Sequence, residues 1–277
     1  MNLNKIKENP IIKPLLVLKR FVRNMLIQAA KMFLAKKKVQ PITVTNWPKS
    51  LSKPTDFYIW AYRYFHQHLP ENIREHRYYF EQVQRAFGER AFHTMWFLLF
   101  KEYRIRSFLE IGVYRGHVLS LLALLQKVYN VNGEVVGISP FNGVGDSVSS
   151  YISDIDYYKD TIDNFQYFNL QVPRLVKAYS TDKLALDVIS ERLWDCIYID
   201  GNHEYEIARA DWLNCSKNVK VSGLIVLDDS ALETAYRPPF FAKKGLPGPS
   251  RLAAEIDKSI FREILMVGHN RVFQRIE

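Results

Sequence analysis

Four residues at the ends of two apolar runs have the types and spacing for acid–base or metal chemistry. The run Asp195–Ile199 leads into Asp200-Gly201-Asn202-His203, and the run Leu224–Leu227 leads into Asp228-Asp229-Ser230. Brought to one rim, the carboxylates of Asp200, Asp228 and Asp229 would repel one another unless a cation stood among them. An oxygen-rich set of this kind suits Mg²⁺, which keeps several waters and accepts substrate oxygens. His203, three residues after Asp200, is the candidate general base beside them. Each acid also has a plainer reading, Asp200 as a helix cap and Asp228 or Asp229 as the cap of a turn. An earlier run, Ser107–Ile111, contains Glu110 and opens into Gly112-Val113-Tyr114-Arg115-Gly116. Gly112 would let the chain turn tightly, and Gly116 would let a ligand approach the helix that follows. Two glycines spaced by four do not make the G-x-G-x-x-G dinucleotide fingerprint, so a merely structural turn fits equally well.

The elements that must position these residues are legible in the periodicity. From Arg106 onward, β-type runs alternate with helical stretches, which is the pattern of a parallel sheet covered on both faces. Strands are expected at Ser107–Ile111, Glu134–Ile138, Arg174–Ala178, Asp195–Ile199 and Leu224–Leu227. Helices are expected over Gly116–Tyr129, Ser150–Phe165, Thr181–Glu191, Tyr205–Ser216 and Ser250–Ser259. Arg262–Val267, then Gly268-His269-Asn270, then Arg271–Ile276 reads as a closing β-hairpin. The fold class is therefore α/β, Rossmann-like and doubly wound: a mostly parallel seven-stranded sheet ending in an antiparallel hairpin, with a helical N-terminal region before it. Ligands in such open sheets bind beyond the carboxyl ends of the strands, where the acids and glycines above fall.

The chain divides by composition into 1–40, 41–103 and 104–277. Its net charge of +9 resides in the first part: residues 1–40 hold ten basic residues and one acid, and the remaining 237 residues carry 28 of each sign. Leu15, Leu18, Phe21, Val22, Met25, Leu26, Met32 and Phe33 recur at helical spacing among those basic residues. No run is long and uncharged enough for a transmembrane helix, and a secretory signal fits poorly. This basic amphipathic leader could pack on the body or on a partner subunit, lie on an anionic membrane surface, or meet nucleic acid. Pro41, Pro48 and Pro54 mark a stretch that reads as a linker. The aromatic-rich stretch from Asp56 to about Tyr103 reads as a helical cap or interface, with His66 and His68 as structural or surface residues and not ligands. Two cysteines, Cys196 and Cys215, cannot form a disulfide scaffold or a multi-cysteine zinc site.

Four segments together resemble the class I S-adenosylmethionine-dependent methyltransferases: FLEIGVYRG (108–116), VVGISPF (135–141), WDCIYIDGNHEYE (194–206) and SGLIVLDDS (222–230). They are similar to the branch that includes macrocin-type sugar O-methyltransferases and cephalosporin hydroxylase-like proteins. The resemblance covers about residues 100–277. It implies that Glu110, Gly112 and Gly116 hold the methionine part of S-adenosylmethionine. Ser139 stands where many relatives have an acid for the ribose, a departure that leaves Asp146 or a neighbour to replace it. Ser180 and Asp182, with Tyr179, fall where the family contacts adenine. Asp200 falls at the cofactor and at the metal, and Asp228 and Asp229 at the metal. His203 occupies the position of the base, a histidine in sugar-modifying relatives.

The implied reaction is Mg²⁺-dependent O-methylation of a sugar or other small glycosylated acceptor. The segment after Asp229, with Arg237, Lys243 and Lys244, would then be a loop over the acceptor, with Glu233 a further polar contact. A nucleic-acid partner is not expected: after the fourth strand there is no Asn/Asp-Pro-Pro-aromatic motif, and the body is electrically neutral. A non-catalytic binding or assembly protein on the same scaffold is the alternative from another class. The expected location is cytoplasmic, with peripheral contact at the inner face of a membrane through residues 1–40. A homo-oligomer formed through the aromatic segment is also compatible with the sequence.

Overall fold

The central sheet exists because β-branched and aromatic residues alternate their side chains between two buried faces. In the computed structural model, residues 12–143, 148 and 151–277 are described, with side chains from Val17 onward. Five parallel strands run β1 (Ser107–Ile111), β2 (Glu134–Ser139), β3 (Arg174–Lys177), β4 (Trp194–Ile199) and β5 (Val219–Leu227). A hairpin of β6 (Phe261–Val267) and β7 (Asn270–Arg275) completes the sheet. The order is β3-β2-β1-β4-β5-β7-β6, with β7 antiparallel to both β5 and β6. The order turns back between β1 and β4, the crevice where open sheets of this kind bind ligands.

The helices before the sheet are α1 (Ile12–Lys36), α2 (Pro48–Ser52), α3 (Pro54–Gln67), α4 (Glu71–Glu81) and α5 (Arg90–Tyr103). Those within it are α6 (His117–Val128), α7 (Tyr157–Tyr167), α8 (Lys183–Ser190), α9 (Tyr205–Ser216) and α10 (Pro247–Glu255). One face of the sheet, with Phe108, Cys196, Tyr198, Leu224 and Val226, packs against the aromatic helices α3 and α5 and against α6. The other face, with Leu109, Ile111, Ile197, Ile199, Ile225 and Leu227, packs against α8, α9 and α10. Each fully buried side chain of this size contributes roughly 1.5–3 kcal/mol. Trp96 of α5 meets Phe108 and Tyr198 edge-on, with ring centroids 5.6 and 5.2 Å apart, so the cap helices are docked directly over β1 and β4. Beside them His76, His93 and His117 cluster in the core. Burial, and then Arg77, pushes His76 down to about 3 and the other two also low, so all three are neutral imidazoles.

The stretch read as a linker is instead packed structure. Trp47 and Ser50 are buried, and the Ser50 hydroxyl donates to Trp47 O (2.7 Å) and accepts Met266 N of β6 (2.9 Å). The prolines fit because Pro48 and Pro54 each start a helix, where a missing N–H costs nothing. The helix expected from Ser150 begins at Tyr157, capped by Asp156 accepting Lys159 N (3.0 Å). Ser150 itself, like Asp146 and residues 1–11, lies outside the described residues. His68 is structural, its Nε2 bonded to Val39 O (2.8 Å), and His66 faces the Arg90 guanidinium (3.3 Å).

Candidate active site

The loop after β1 is shaped by a collision that glycine avoids. Gly112 has φ +98°, and a Cβ there would stand 2.0 Å from Asp200 O. The backbone of β1 and the end of β4 can therefore touch only with glycine at this position. Gly112 N donates to Ile138 O (2.9 Å) and Asp200 N to Ile111 O (2.9 Å), so three strand ends are tied together. Gly116 also has positive φ, +76°, but a Cβ there would meet Thr161 Cγ2 of α7 at 2.7 Å. Packing against α7 thus also demands glycine here, and Gly116 is not among the residues that line the cavity described next.

Beyond these strand ends opens a cavity. Gly112, Val113 and Tyr114 form its floor; Ser139, Phe141 and Asn142 one wall; Tyr179, Ser180 and Thr181 the next; Asp200 to His203 the last. Tyr157 also lines it, with its ring 5.2 Å from that of Tyr114. A slot walled by aromatic rings and polar strand ends fits a flat base with a ribose and a charged tail. Of the sequence candidates, Gly112, Ser139, Ser180, Asp200 and His203 line this cavity. Asp182 does not: its carboxylate turns back to accept Tyr179 N (2.9 Å) ahead of α8, which fixes the wall without forming it.

Glu110 lies under the loop, buried on β1 beside Tyr198 and Gly137, outside the lining. Burial pushes its carboxyl up to about 8, against one backbone hydrogen bond from Leu119, and its Oε2 has no hydrogen-bond partner. Asp211 of α9 is a second buried acid behind the cavity, pushed up by burial to about 6, with Ser180 acting against the shift.

The three acids converge at the rim, Asp200 hydrogen-bonded to Asp228, and His269 joins Asp228 and Asp229. Asp228, Asp229 and His269 bring one ligand atom each within 4.8 Å of one another. His269 Nε2 is 3.4 Å from Asp228 Oδ1 and 3.7 Å from Asp229 Oδ1. Asp200 stands outside this trio. Its carboxyl accepts the Tyr198 hydroxyl (3.1 Å) and is hydrogen-bonded to Asp228. Desolvation, and then the charge of Asp228, hold it well above the usual carboxylate range. Asp229 goes the other way: burial opposes ionisation, but the hydrogen bond from His203 and the His269 charge keep it low. Burial likewise disfavours charge on His269, yet Asp228, Asp229 and Glu89 together raise its affinity for a proton.

Topology explains His269. Because β7 runs antiparallel to β5, the turn before it returns to the carboxyl end of β5, where Leu227 pairs with Arg271. Ser230 N donates to His269 O (2.9 Å), and His269 Nδ1 bonds Lys243 O (3.3 Å). Asp229 has φ +47°, a strained conformation that aspartate tolerates better than most residues. Its carbonyl is clamped by Leu246 N (2.7 Å) and the Ser250 hydroxyl (3.3 Å), which aims the side chain at the rim. There Asp229 Oδ2 receives His203 Nε2 at 3.3 Å. The buried Asp228 Oδ1 has no hydrogen-bond partner, so an atom able to bind a cation faces the His269 nitrogen. Two carboxylates and an imidazole fit a divalent metal ion, and the nitrogen widens the choice beyond Mg²⁺ to Mn²⁺, Fe²⁺ or Zn²⁺.

The loop after Asp229 lies over this rim. Lys243 N donates to Glu89 Oε1 (3.4 Å), and Glu89 in turn binds the Tyr58 hydroxyl. Arg237 is engaged locally: its N donates to the Thr55 hydroxyl (2.8 Å) and its guanidinium to Tyr236 O (2.9 Å).

Residues 109–230 match a family model described as a methyltransferase domain. A mimivirus protein, uncharacterized protein R132 of Acanthamoeba polyphaga mimivirus, is 26% identical over 153 residues, which is 54% of this chain. The chain spans only 60% of that relative. Among solved structures, a Staphylococcus aureus protein described as a caffeoyl-CoA O-methyltransferase superposes with a TM-score of 0.55 at 13% identity, over 76% of this chain and 94% of that one. The SAH-bound methyltransferase PaMTH1 of Podospora anserina gives 0.53 at 14% identity, over 87% of this chain and all of that one (100%). At such identities the likeness is one of fold. Residues 109–230 thus resemble a methyltransferase domain, and the chain has the seven-stranded fold of these methyltransferase structures.

Proposed function

We propose that the protein transfers a methyl group from S-adenosylmethionine to a hydroxyl of a sugar or other small glycosylated acceptor, with a divalent cation at the rim. The observation that carries this reading is a cavity lined from the Gly112 turn to His203, with His203 Nε2 in turn 3.3 Å from Asp229 Oδ2 of the Asp228–Asp229–His269 cluster. The sugar acceptor rests on the Asp200-x-x-His203 spacing shared with macrocin-type enzymes.

S-adenosylmethionine, when bound, supplies an electrophilic methyl group on a sulfonium, an excellent leaving group, so the protein's work is positioning and deprotonation. Gly112 and the end of β2 would hold the methionine and ribose parts, and Tyr179 and Ser180 would flank the adenine. Ser139 offers a hydroxyl where a carboxylate would bind the ribose diol, and already accepts Phe141 N (3.4 Å). A divalent cation held by Asp228, Asp229 and His269 would lower the pKa of an acceptor hydroxyl. His203, whose Nε2 lies 3.3 Å from Asp229 Oδ2, would be the base that takes the acceptor proton.

A labelled-methyl transfer assay against nucleotide sugars, glycosides and lipid-linked saccharides, with and without divalent metal, tests this. Transfer to a saccharide hydroxyl, abolished by chelator and restored by metal, is the expected result. Transfer to RNA or protein instead, or no transfer by a chain that binds the cofactor, would overturn it.

A further inference from the structure

We infer that α1 is an interfacial anchor that seats the protein on an anionic membrane surface, with its outward apolar stripe in the lipid. Two faces of α1 are apolar, and only one is used. Ile27, Ala30, Lys31, Leu34 and Ala35 are partly buried at the spacing of one helical face. This face joins the body, where Arg63 Nε donates to Leu34 O (2.9 Å) and Gln67 Nε2 to Ala35 O (2.9 Å). At about 100° per residue, Leu18, Phe21, Val22, Met25, Met32 and Phe33 fall within an arc of roughly 120° on the opposite side. They are exposed to between 46% (Val22) and 79% (Phe33). Scattered exposed apolar residues are ordinary, but six large ones in a single stripe mark an interaction surface.

The charge decides the occupant. Between Val17 and Lys38 there are seven basic residues and no acid. Lys19, Arg20, Arg23, Lys36, Lys37 and Lys38 are all exposed. A second copy of this helix would bring seven positive charges against seven. An anionic lipid surface accepts both the stripe and the charge, as interfacial amphipathic helices do. No described helix is long and apolar enough to cross a membrane, so the mode is lying on the surface. The anchor is joined to the site's loop: Lys31 Nζ stands 5.4 Å from the centre of the Phe241 ring.

The test is co-sedimentation of the full chain with vesicles of phosphatidylcholine alone and of phosphatidylcholine with about 30% phosphatidylserine. Wild type should bind the anionic vesicles at least ~10-fold more tightly, and rising salt should weaken this. The double variant Phe21→Ser/Met25→Ser removes stripe residues that are 60% and 57% exposed. It should keep its circular dichroism and melting temperature while vesicle affinity falls at least ~10-fold. Failure of wild type to sediment with anionic vesicles would overturn the inference. So would unchanged binding by the double variant, which would leave charge alone at work. A concentration-dependent dimer that the double variant dissociates, without vesicle binding, would assign the stripe to a second copy and equally overturn it.

Discussion

Replacing Glu110 by glutamine should stabilise the protein at neutral pH, and by an amount the structure sets. Glu110 is buried on β1 and its carboxyl is raised from 4.5 to about 8, chiefly by desolvation. The native state therefore holds a proton on this group between pH 4.5 and 8 that the unfolded chain releases. Native stability from this group is full below about pH 4.5 and is lost as pH rises through the folded value. At 1.36 kcal/mol per pH unit, the loss reaches about 3 kcal/mol at pH 7. Glutamine keeps an acceptor for Leu119 N and cannot ionise. Urea unfolding of wild type and Glu110→Gln should give similar stabilities at pH 4.5 and a gap opening to about 3 kcal/mol in favour of the variant at pH 7. Parallel stability curves across that range would refute the placing of a neutral acid beneath the loop.

Gly112→Ala should disrupt the site outright, because its Cβ would stand 2.0 Å from Asp200 O; a loss of roughly 3 kcal/mol or more in urea unfolding, together with lost S-adenosylhomocysteine binding, is expected. His203→Ala should lose most methyl transfer while binding S-adenosylhomocysteine as wild type does, read by calorimetry beside turnover. His269→Ala should raise the metal concentration for half-maximal activity at least ~10-fold, whereas Asp200→Asn should raise it less. Ser50→Ala should cost about 1–2 kcal/mol of stability, since Met266 N loses its acceptor in the core.

Much of the fold was legible because the sheet writes its burial directly into the sequence. Ser107–Ile111 and Tyr205–Ser216 have the bounds that periodicity gave, and the hairpin differs by a residue at each end. The stretch 41–54 was misread because prolines at helix starts look like linker punctuation, and only the tertiary partner of Ser50 distinguishes them. At Gly116, room for a helix side chain and room for a cofactor look alike in one sequence, and only the approach of Thr161 reveals the packing demand. His269 was missed as a site residue although its turn was found. The signal lay in strand direction: a final strand antiparallel to the fifth must carry the preceding turn back to the acids. Asp182 shows the reverse, a residue at the right strand end whose side chain is spent on the local backbone.

Binding of S-adenosylhomocysteine measured by calorimetry on the wild-type chain tests most directly the claim that the strand-end cavity is a cofactor site. Saturable one-to-one binding that Gly112→Ala abolishes and His203→Ala leaves intact is the predicted result. A folded wild-type protein that releases no heat and shows no saturation with this ligand would contradict the account.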